Sequence, residues 1–347
     1  MTNDVMSDDP AVWFTFGPAS ETEEDVRELI KNGASGVRLT FSYGTPDIHL
    51  ERAELVTSIA NSIGTSCTVV GDLEGEKPRV ADTLETNRLS VEEGTTVQLR
   101  PKNINTDFDH QQIPIDSERL VRSIQPGDRI LIGDGSSILK AESINGSIVN
   151  CTVHVAGEIN PNRGVTIQGA EFEPESFRRE DREDLKFIAS NDVFDAVAVS
   201  FVSSADDVET ARDIIQECDH SPAVISKIET KQGIENAAEI ATASDAVMIA
   251  RGDLALLLPW EELGINTRTL VSKIQPTDTP WILATQIVEG VEKFAFPTRA
   301  EICDLTHWYS EGMDGVLLSY ETAFGSHPTS AVSTTRKILD LCGDTIG

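Results

Sequence analysis

Residues 194–229 read FDAVAVSFVSSADDVETARDIIQECDHSPAVISKIE. FDAVAVSF (194–201) and PAVISKIE (222–229) are short apolar runs of the kind that strands buried on both faces adopt. Between them SADDVETARDIIQE (204–217) reads as a helix, with Ser204 placed to cap it. A strand, a helix and a second strand in this order make a parallel βαβ unit. The rest of the chain repeats it. Toward the N-terminus, WFTFGPAS (13–20) is a strand running into a turn. A helix at 21–31 follows, with Val26, Leu29 and Ile30 on one face. GVRLTFS (36–42) is the next strand, 48–63 the next helix, and CTVVGDLEG (67–75) a third strand with a Gly-rich, charged exit. REDREDLKFIAS (179–190) is the helix that leads into the central unit. Toward the C-terminus, KQGIENAAEIATA (231–243) is helical, SDAVMIARGD (244–253) is a strand and turn, and PWILATQ (280–286) is another strand. Thr298-Arg-Ala-Glu301 opens a helix as a capping box, with Ile302 and Leu305 expected to face inward. DGVLLSYETA (314–323) supplies the last strand and 328–341 the last helix.

The parallel strands therefore fall at 13–16, 36–41, 67–72, 195–200, 223–228, 246–250, 281–285 and 315–319. Eight such units predict a closed (β/α)8 TIM barrel in preference to a doubly wound open sheet. Between about 80 and 169 the pattern changes to short alternating runs and turns. PGDRILIGDG (126–135) is turn, strand and turn. SSILKAESINGSIVNCTVHV (136–155) is a hairpin around Asn145-Gly146. This segment is expected to be an all-β lid, a small β-barrel over 80–169, inserted after the third strand of a catalytic barrel formed by 1–79 and 170–347. No C-terminal effector domain is expected.

Composition narrows the partners. The chain of 347 residues has 58 Asp and Glu against 28 Lys and Arg, a formal net charge of -30. Nucleic acid and anionic membranes both need a basic footprint, so neither is expected as a partner. A small anion is a different matter, because a local pocket can oppose the global field. Only 10 of the residues are Lys, a balance found in salt-adapted proteins and also in merely acidic, soluble ones. Five scattered cysteines without a CxxC pair resemble neither a disulfide framework nor a zinc site. The N-terminal MTNDVMSDDP lacks the basic and apolar regions of a signal peptide, and the most apolar run, 193–202, is too short to span a bilayer. These features point to a cytoplasmic protein.

In such barrels the reactive groups sit at the C-terminal ends of the strands. Those ends carry Arg38, Thr40 and Ser42 on the second strand, and Asp72, Lys77 and Arg79 on and beyond the third. Lys227 and Glu229 lie on the fifth, Gly252 and Asp253 after the sixth, and Thr285 at the seventh. Strand alternation puts Lys227 and Glu229 on one face. Two acids from neighbouring strands, Glu229 and Asp253, could hold a Mg2+ that keeps its other positions for substrate oxygens. Lys227, Arg38 and Arg79 would then oppose the oxygens of a transferring phosphoryl group. Any one of these charges alone is as often a surface ion pair. Their succession along consecutive strand ends is what argues for a site.

The segments FTFGPAS, GVRLTFSYGT, GDLEGEKPR, PGDRILIGDG, SKIETKQGIEN, SDAVMIARGDLAL, ILATQIVEG, PTRAEICD and LLSYETAFGSHP resemble pyruvate kinase, in the same order along nearly the whole chain. The resemblance implies Mg2+-dependent (or Mn2+-dependent) phosphoryl transfer between phosphoenolpyruvate and ADP, giving pyruvate and ATP, a glycolytic step. It implies Lys227 as the lysine on the phosphoryl group in flight, and Glu229 and Asp253 as the metal ligands. Thr285 matches the threonine associated with protonation, and Arg38 a phosphate-contacting arginine. Gly252 and Asp253 match the cradle for the substrate carboxylate. Arg79 and Arg163 fall at nucleotide-phosphate positions, Arg163 where a lysine is usual. A homodimer through barrel surfaces is implied as well.

Several positions depart from the family. RLNFSHG becomes Arg38-Leu-Thr-Phe-Ser-Tyr-Gly44, and DTKGPEIR becomes Asp72-Leu-Glu-Gly-Glu-Lys-Pro-Arg79. Of the usual K+ site, Ser42 and Asp72 remain, while Leu73 and Lys77 match members that do not require K+. A tethered ammonium can supply the ion's charge, so no K+ requirement is expected. Glu74 replaces a Lys, and Tyr320 fills a position usually held by Gly. These changes leave two alternatives: a paralogue doing aldol- or lyase-type chemistry on pyruvate or another 2-oxo acid, and a non-catalytic binding or regulatory subunit.

Overall fold

The computed structural model describes residues 10–82, 88–104, 111–169, 172 and 174–346. In chain order the elements begin with β1 (Ala11–Thr15), α1 (Glu23–Lys31), β2 (Gly36–Thr40), α2 (Pro46–Ser62) and β3 (Thr68–Asp72). There follow β4 (Leu89–Val91), β5 (Thr96–Pro101), β6 (Gln111–Ile115), α3 (Glu118–Ser123), β7 (Arg129–Ile132), β8 (Ser137–Asn145), β9 (Ile148–Val155), β10 (Gly157–Ile159) and β11 (Val165–Gln168). Next come α4 (Arg179–Ala189), β12 (Ala196–Val199), α5 (Ala205–Gln216), β13 (Ala223–Ile228), α6 (Lys231–Glu235), α7 (Ala237–Ala243), β14 (Ala246–Ala250) and α8 (Arg251–Leu257). The last are α9 (Leu263–Ile274), β15 (Trp281–Ala284), α10 (Arg299–Ser310), β16 (Gly315–Leu318), α11 (Tyr320–Ala323) and α12 (Pro328–Ile346). The described residues form two compact units, one drawn from 1–75, 175–252 and 264–347, the other from 76–174 and 253–263.

In the first unit eight strands close into a barrel of order β1-β16-β15-β14-β13-β12-β3-β2, the fold expected from the sequence. Every neighbouring pair is parallel. One buried cluster takes alternate residues from these strands, among them Trp13, Val70, Ala198, Ile225, Met248 and Leu317. Most of its other members are alanines, which leaves room for Trp13. A Cβ on Gly36 would lie 2.5 Å from that indole, so glycine is required where β2 passes it. Because side chains alternate across a strand, the face that holds this cluster also holds the residues two further on. Among those residues are Thr15, Asp72, Ser200 and Lys227, and Arg38 stands two beyond Gly36 on β2, all near strand C-terminal ends.

The helix starts are fixed locally. Thr298 caps α10, donating its N–H to Glu301 Oε2 (2.7 Å) and accepting from Glu301 N (3.2 Å), as the sequence predicts. Ser204 stands at the start of α5, its N–H held by Asp207 Oδ2 at 3.0 Å. Leu305 is buried, whereas Ile302, expected to face inward, is exposed. Residues 231–243 form two helices rather than one. Asn236 ends α6 and begins α7, and its side-chain amide donates to Ser203 O at 2.8 Å, which fixes the break.

The second unit contains a six-stranded sheet of order β11-β7-β8-β9-β5-β6 and a two-stranded sheet of β10 and β4. The larger sheet runs from β11 to β6, and residues 78–81 bridge its two ends: Val165 N donates to Pro78 O and Ala81 N to Pro114 O, each at 2.8 Å. It also carries one short helix, α3, and it takes in residues 253–263. Gly169 donates to Leu257 O at 2.8 Å, which ties that segment to the end of β11. Its core gathers Val97, Leu99, Ile113, Ile130, Leu139 and Val149. The hairpin turns at Gly146-Ser147, one residue later than expected, with Gly146 at φ 63° and Asn145 paired to Ile148. A glycine at the first of two loop positions matches the right-handed twist of the strands it joins. Among the described residues no helix is long and apolar enough to cross a membrane.

Candidate active site

At the C-terminal end of the barrel four charged side chains meet in a buried group. Lys227 Nζ lies 2.9 Å from Asp72 Oδ1, 2.6 Å from Ser200 Oγ and 3.4 Å from Glu229 Oε1. The first two contacts are hydrogen bonds donated by the ammonium, and the third is an ion pair. Arg38 Nη1 is 3.4 Å from Asp72 Oδ2, and Arg38 Nε donates to Thr15 Oγ1 at 3.0 Å. Glu229 Oε2 accepts the Phe201 N–H at 2.8 Å, and Ser200 Oγ donates to Leu73 O at 2.6 Å. Lys227, Asp72 and Glu229 are all less than a tenth exposed. Burial by itself disfavours the Lys227 ammonium, but Asp72 and then Glu229 outweigh it and hold its pKa above the ordinary lysine value. Lys227 is therefore a fixed cation at physiological pH and has no proton to exchange there.

Backbone strain marks the same strand ends. Phe201 has φ 54°, Thr285 φ 77° and Gln286 φ 54°, left-handed values that cost non-glycine residues energy and collect at functional positions. Gly75, at φ 68°, comes so near that an added Cβ would lie 2.6 Å from the Phe201 ring and 2.9 Å from Ser200 Cβ. The Thr285 turn is clamped from two sides. Arg251 Nη2 donates to Thr285 O (2.7 Å) and Gln286 O (3.1 Å), while Arg251 Nη1 pairs with Asp304 Oδ2 at 2.5 Å. The fully buried Glu321 accepts from the N–H groups of Ile287 (3.0 Å), Val288 (3.2 Å) and Ser319 (2.9 Å). A Cβ on Gly252 would lie 3.2 Å from Thr285 Oγ1, so the Gly252 backbone packs directly on the Thr285 side chain.

Of the residues singled out in the sequence, Arg38, Asp72, Lys227 and Glu229 come together in this unit, and Gly252 lies against Thr285. Ser42, just past β2, is half-buried. Lys77, Arg79, Arg163 and Asp253 belong to the second unit. There Lys77 Nζ lies 2.8 Å from Asp253 Oδ1, and Arg79 Nη1 donates to Asn162 O at 3.0 Å. Arg163 is exposed, and its carbonyl accepts from Val80 N at 2.8 Å. Glu74, where the family motif has lysine, pairs with Arg178 Nη2 at 2.8 Å.

The sequence assigned Asp72 to a monovalent-cation site and gave Thr15 and Ser200 no role. The structure makes Asp72 the common partner of Lys227 and Arg38. Thr15 accepts one hydrogen bond from Arg38, and Ser200 one from Lys227. Strand parity could have found both, since each shares a face with the named residues. Arg251 and Glu321 act on backbone carbonyls and amides, contacts that leave no pattern in the sequence.

Among the described residues no group of three or more His, Cys, Asp or Glu is arranged around a metal position. A metal held here would therefore take few protein ligands and leave most of its positions to water and substrate. Mg2+ is bound in that way, through one or two carboxylates, and buried Glu229 is a suitable hard oxygen donor.

Residues 10–332 match the family model described as pyruvate kinase, barrel domain. The pyruvate kinase of Thermococcus litoralis is 33% identical over 324 residues, covering 93% of this chain and 67% of its own length. That of Mycobacterium tuberculosis strain H37Rv is 33% identical over 325 residues, covering 94% of this chain and 68% of its own. That of Haemophilus influenzae is 32% identical over 327 residues, covering 93% and 68%.

Proposed function

Since the chain belongs to the pyruvate kinase family, we propose that it transfers a phosphoryl group between phosphoenolpyruvate and ADP, giving pyruvate and ATP, in a reaction that depends on Mg2+ or Mn2+. The observation that carries this reading is the buried Lys227 ammonium held against Asp72, Ser200 and Glu229 at the barrel's C-terminal end. Phosphoryl transfer proceeds mainly by positioning and by stabilising charge on the transferring oxygens. A lysine that stays protonated serves that need, whereas one with a lowered pKa would suit base or imine chemistry.

In this reaction Lys227 and Arg38 supply positive charge to the phosphoryl oxygens, with Asp72 orienting both. Glu229 and Asp253 are the carboxylates proposed to hold the divalent cation, which when bound neutralises phosphate charge and polarises the phosphoryl oxygen. The backbone N–H groups of Gly252 and Asp253 are proposed to take the substrate carboxylate. Thr285, kept in place by Arg251 and Glu321, directs its Oγ1 proton to the enolate carbon left after transfer. Arg79 and Arg163 are proposed to meet the nucleotide phosphates. The sequence expectations of a homodimer and of independence from K+ stand with this proposal.

The test is pyruvate release from phosphoenolpyruvate and ADP, read with and without Mg2+ in high salt. The expected result is Mg2+-dependent pyruvate formation that Lys227→Met removes. Folded native protein that forms no pyruvate, beside a control kinase that does, overturns the reading.

A further inference from the structure

The first unit holds a cavity of about 630 Å³ at the mouth of the barrel, and its lining includes Phe16, Arg38, Tyr43, Arg52, Tyr320 and Phe324. That volume lies within the range of small-ligand sites. Among the described residues its lining has two arginines and no Asp or Glu, in a chain with 58 acidic residues. The cavity is thus a local positive region on a protein whose overall field repels anions. Arg38 links it to the buried charge group through Asp72, and the Arg52 guanidinium lies 5.0 Å from the centre of the Phe16 ring.

One wall is flat and apolar. The rings of Tyr320 and Phe324, both on or just after α11, stack with centres 6.1 Å apart and planes 29° from parallel. They remain 54% and 60% exposed, although aromatics of this size gain most from burial. The family motif has glycine at position 320 and would present no such surface. A positive floor beside an exposed aromatic pair suits a ligand that is anionic at one end and a planar ring at the other.

We propose that Tyr320, backed by Phe324, is the stacking surface for the base of the nucleoside diphosphate acceptor and sets the chain's nucleotide preference by ring area. The proposal rests on the phosphotransferase reading of the same barrel mouth. Stacking is blind to the pattern of donors and acceptors on the base edge. ADP and GDP are therefore bound alike, and CDP, with its smaller ring, more weakly.

Calorimetric titration of the full chain with ADP, GDP, CDP and inorganic tripolyphosphate, in the presence of Mg2+, tests this. Tyr320→Ala is expected to weaken ADP and GDP binding by about tenfold, as the loss of one stacked base does. The same variant is expected to leave tripolyphosphate unchanged and to narrow the gap between ADP and CDP. Tyr320→Phe keeps the ring and should bind ADP like the native chain. Equal losses for ADP and tripolyphosphate, undiminished ADP binding by Tyr320→Ala, or no ADP binding by the native chain overturns the proposal. Normal stacking behaviour without pyruvate formation would sink the phosphotransferase reading and leave this surface standing.

Discussion

The buried group of Arg38, Asp72, Lys227 and Glu229 carries two positive and two negative charges, so it is neutral as a set. Lys227→Met leaves it at minus one and Asp72→Asn at plus one, and the double substitution returns it to zero. Removing one member of a buried ion pair costs about 3–5 kcal/mol, because the remaining charge stays desolvated and uncompensated. Arg38 retains some contact with solvent, with 18% of its side chain exposed, so the lower end of that range applies here. Each single variant should therefore lose about 3 kcal/mol of unfolding free energy. If the two losses were independent, the double variant would lose about 6 kcal/mol; restored neutrality should hold it near 3–4, a coupling of about 2–3 kcal/mol. Activity should not follow stability. Lys227→Met removes charge stabilisation worth about 100- to 1,000-fold in kcat, and the double variant recovers none of it. Urea unfolding followed by the fluorescence of buried Trp13 and Trp281 reads the first quantity, and pyruvate release reads the second. Losses that add to within about 0.5 kcal/mol would refute the charge-balance argument, since independent sites behave that way.

Three further outcomes follow from particular contacts. At constant ionic strength, pyruvate formation should be the same in NaCl as in KCl, because Lys227 and Arg38 already take both oxygens of Asp72; a rise confined to KCl would refute this. In α4, burial and then the charge of Asp181 push the Asp184 pKa up from 3.8 to about 6. A raised carboxyl favours the protonated folded state, so its contribution is present below pH 4 and lost as pH rises through 6. Asp184→Asn should thus stabilise the chain at pH 7 by about 1 kcal/mol, a figure reduced for the carboxyl's partial exposure, and a gain that did not grow between pH 4 and pH 6 would count against it. Gly75→Ala should cost about 3 kcal/mol from left-handed strain and overpacking against Phe201, and should cut activity by displacing Ser200; an unchanged melting temperature would contradict the geometry.

The barrel was legible because parallel strands buried on both faces appear as continuous apolar runs. The expected strands at 223–228 and 246–250 coincide with β13 and β14. Others differ by one or two residues where a bend begins: the strand expected over 281–285 stops at Ala284. Thr285 and Gln286 turn left-handed there, and no glycine announces it. Site membership was legible through strand parity, which sets Lys227 and Glu229 on one face. Pairing was not. Lys227 meets Asp72 across 155 residues of chain, and Arg38 meets it across 34, because the barrel sets β3 beside β2 and next but one to β13. Local pattern also missed the break at Asn236 and the exposure of Ile302. The first depends on a carbonyl of Ser203, 33 residues away, and the second on what packs beside α10.

The contacts of Lys227 bear on how substrate would be received in the proposed reaction. Its ammonium donates to Asp72 and Ser200 and lies 3.4 Å from Glu229 Oε1, so in the proposed reaction a phosphoryl oxygen would most readily take the place of that looser contact. Asp72 is held in place by Arg38 from its other oxygen, and Ser200 is tied to Leu73 O at 2.6 Å. Glu229 is the weakest of the three links at 3.4 Å, and its other oxygen is occupied by Phe201 N. The contact most easily exchanged is therefore the one to the carboxylate proposed as a metal ligand. In the proposed reaction a cation held by Glu229 would weaken its hold on Lys227 and leave the ammonium available to the phosphoryl group. Asp72 keeps that ammonium protonated throughout. Through this one side chain the carboxylate proposed for the metal would be coupled to the lysine proposed for the phosphoryl group, in a chain whose net charge is -30.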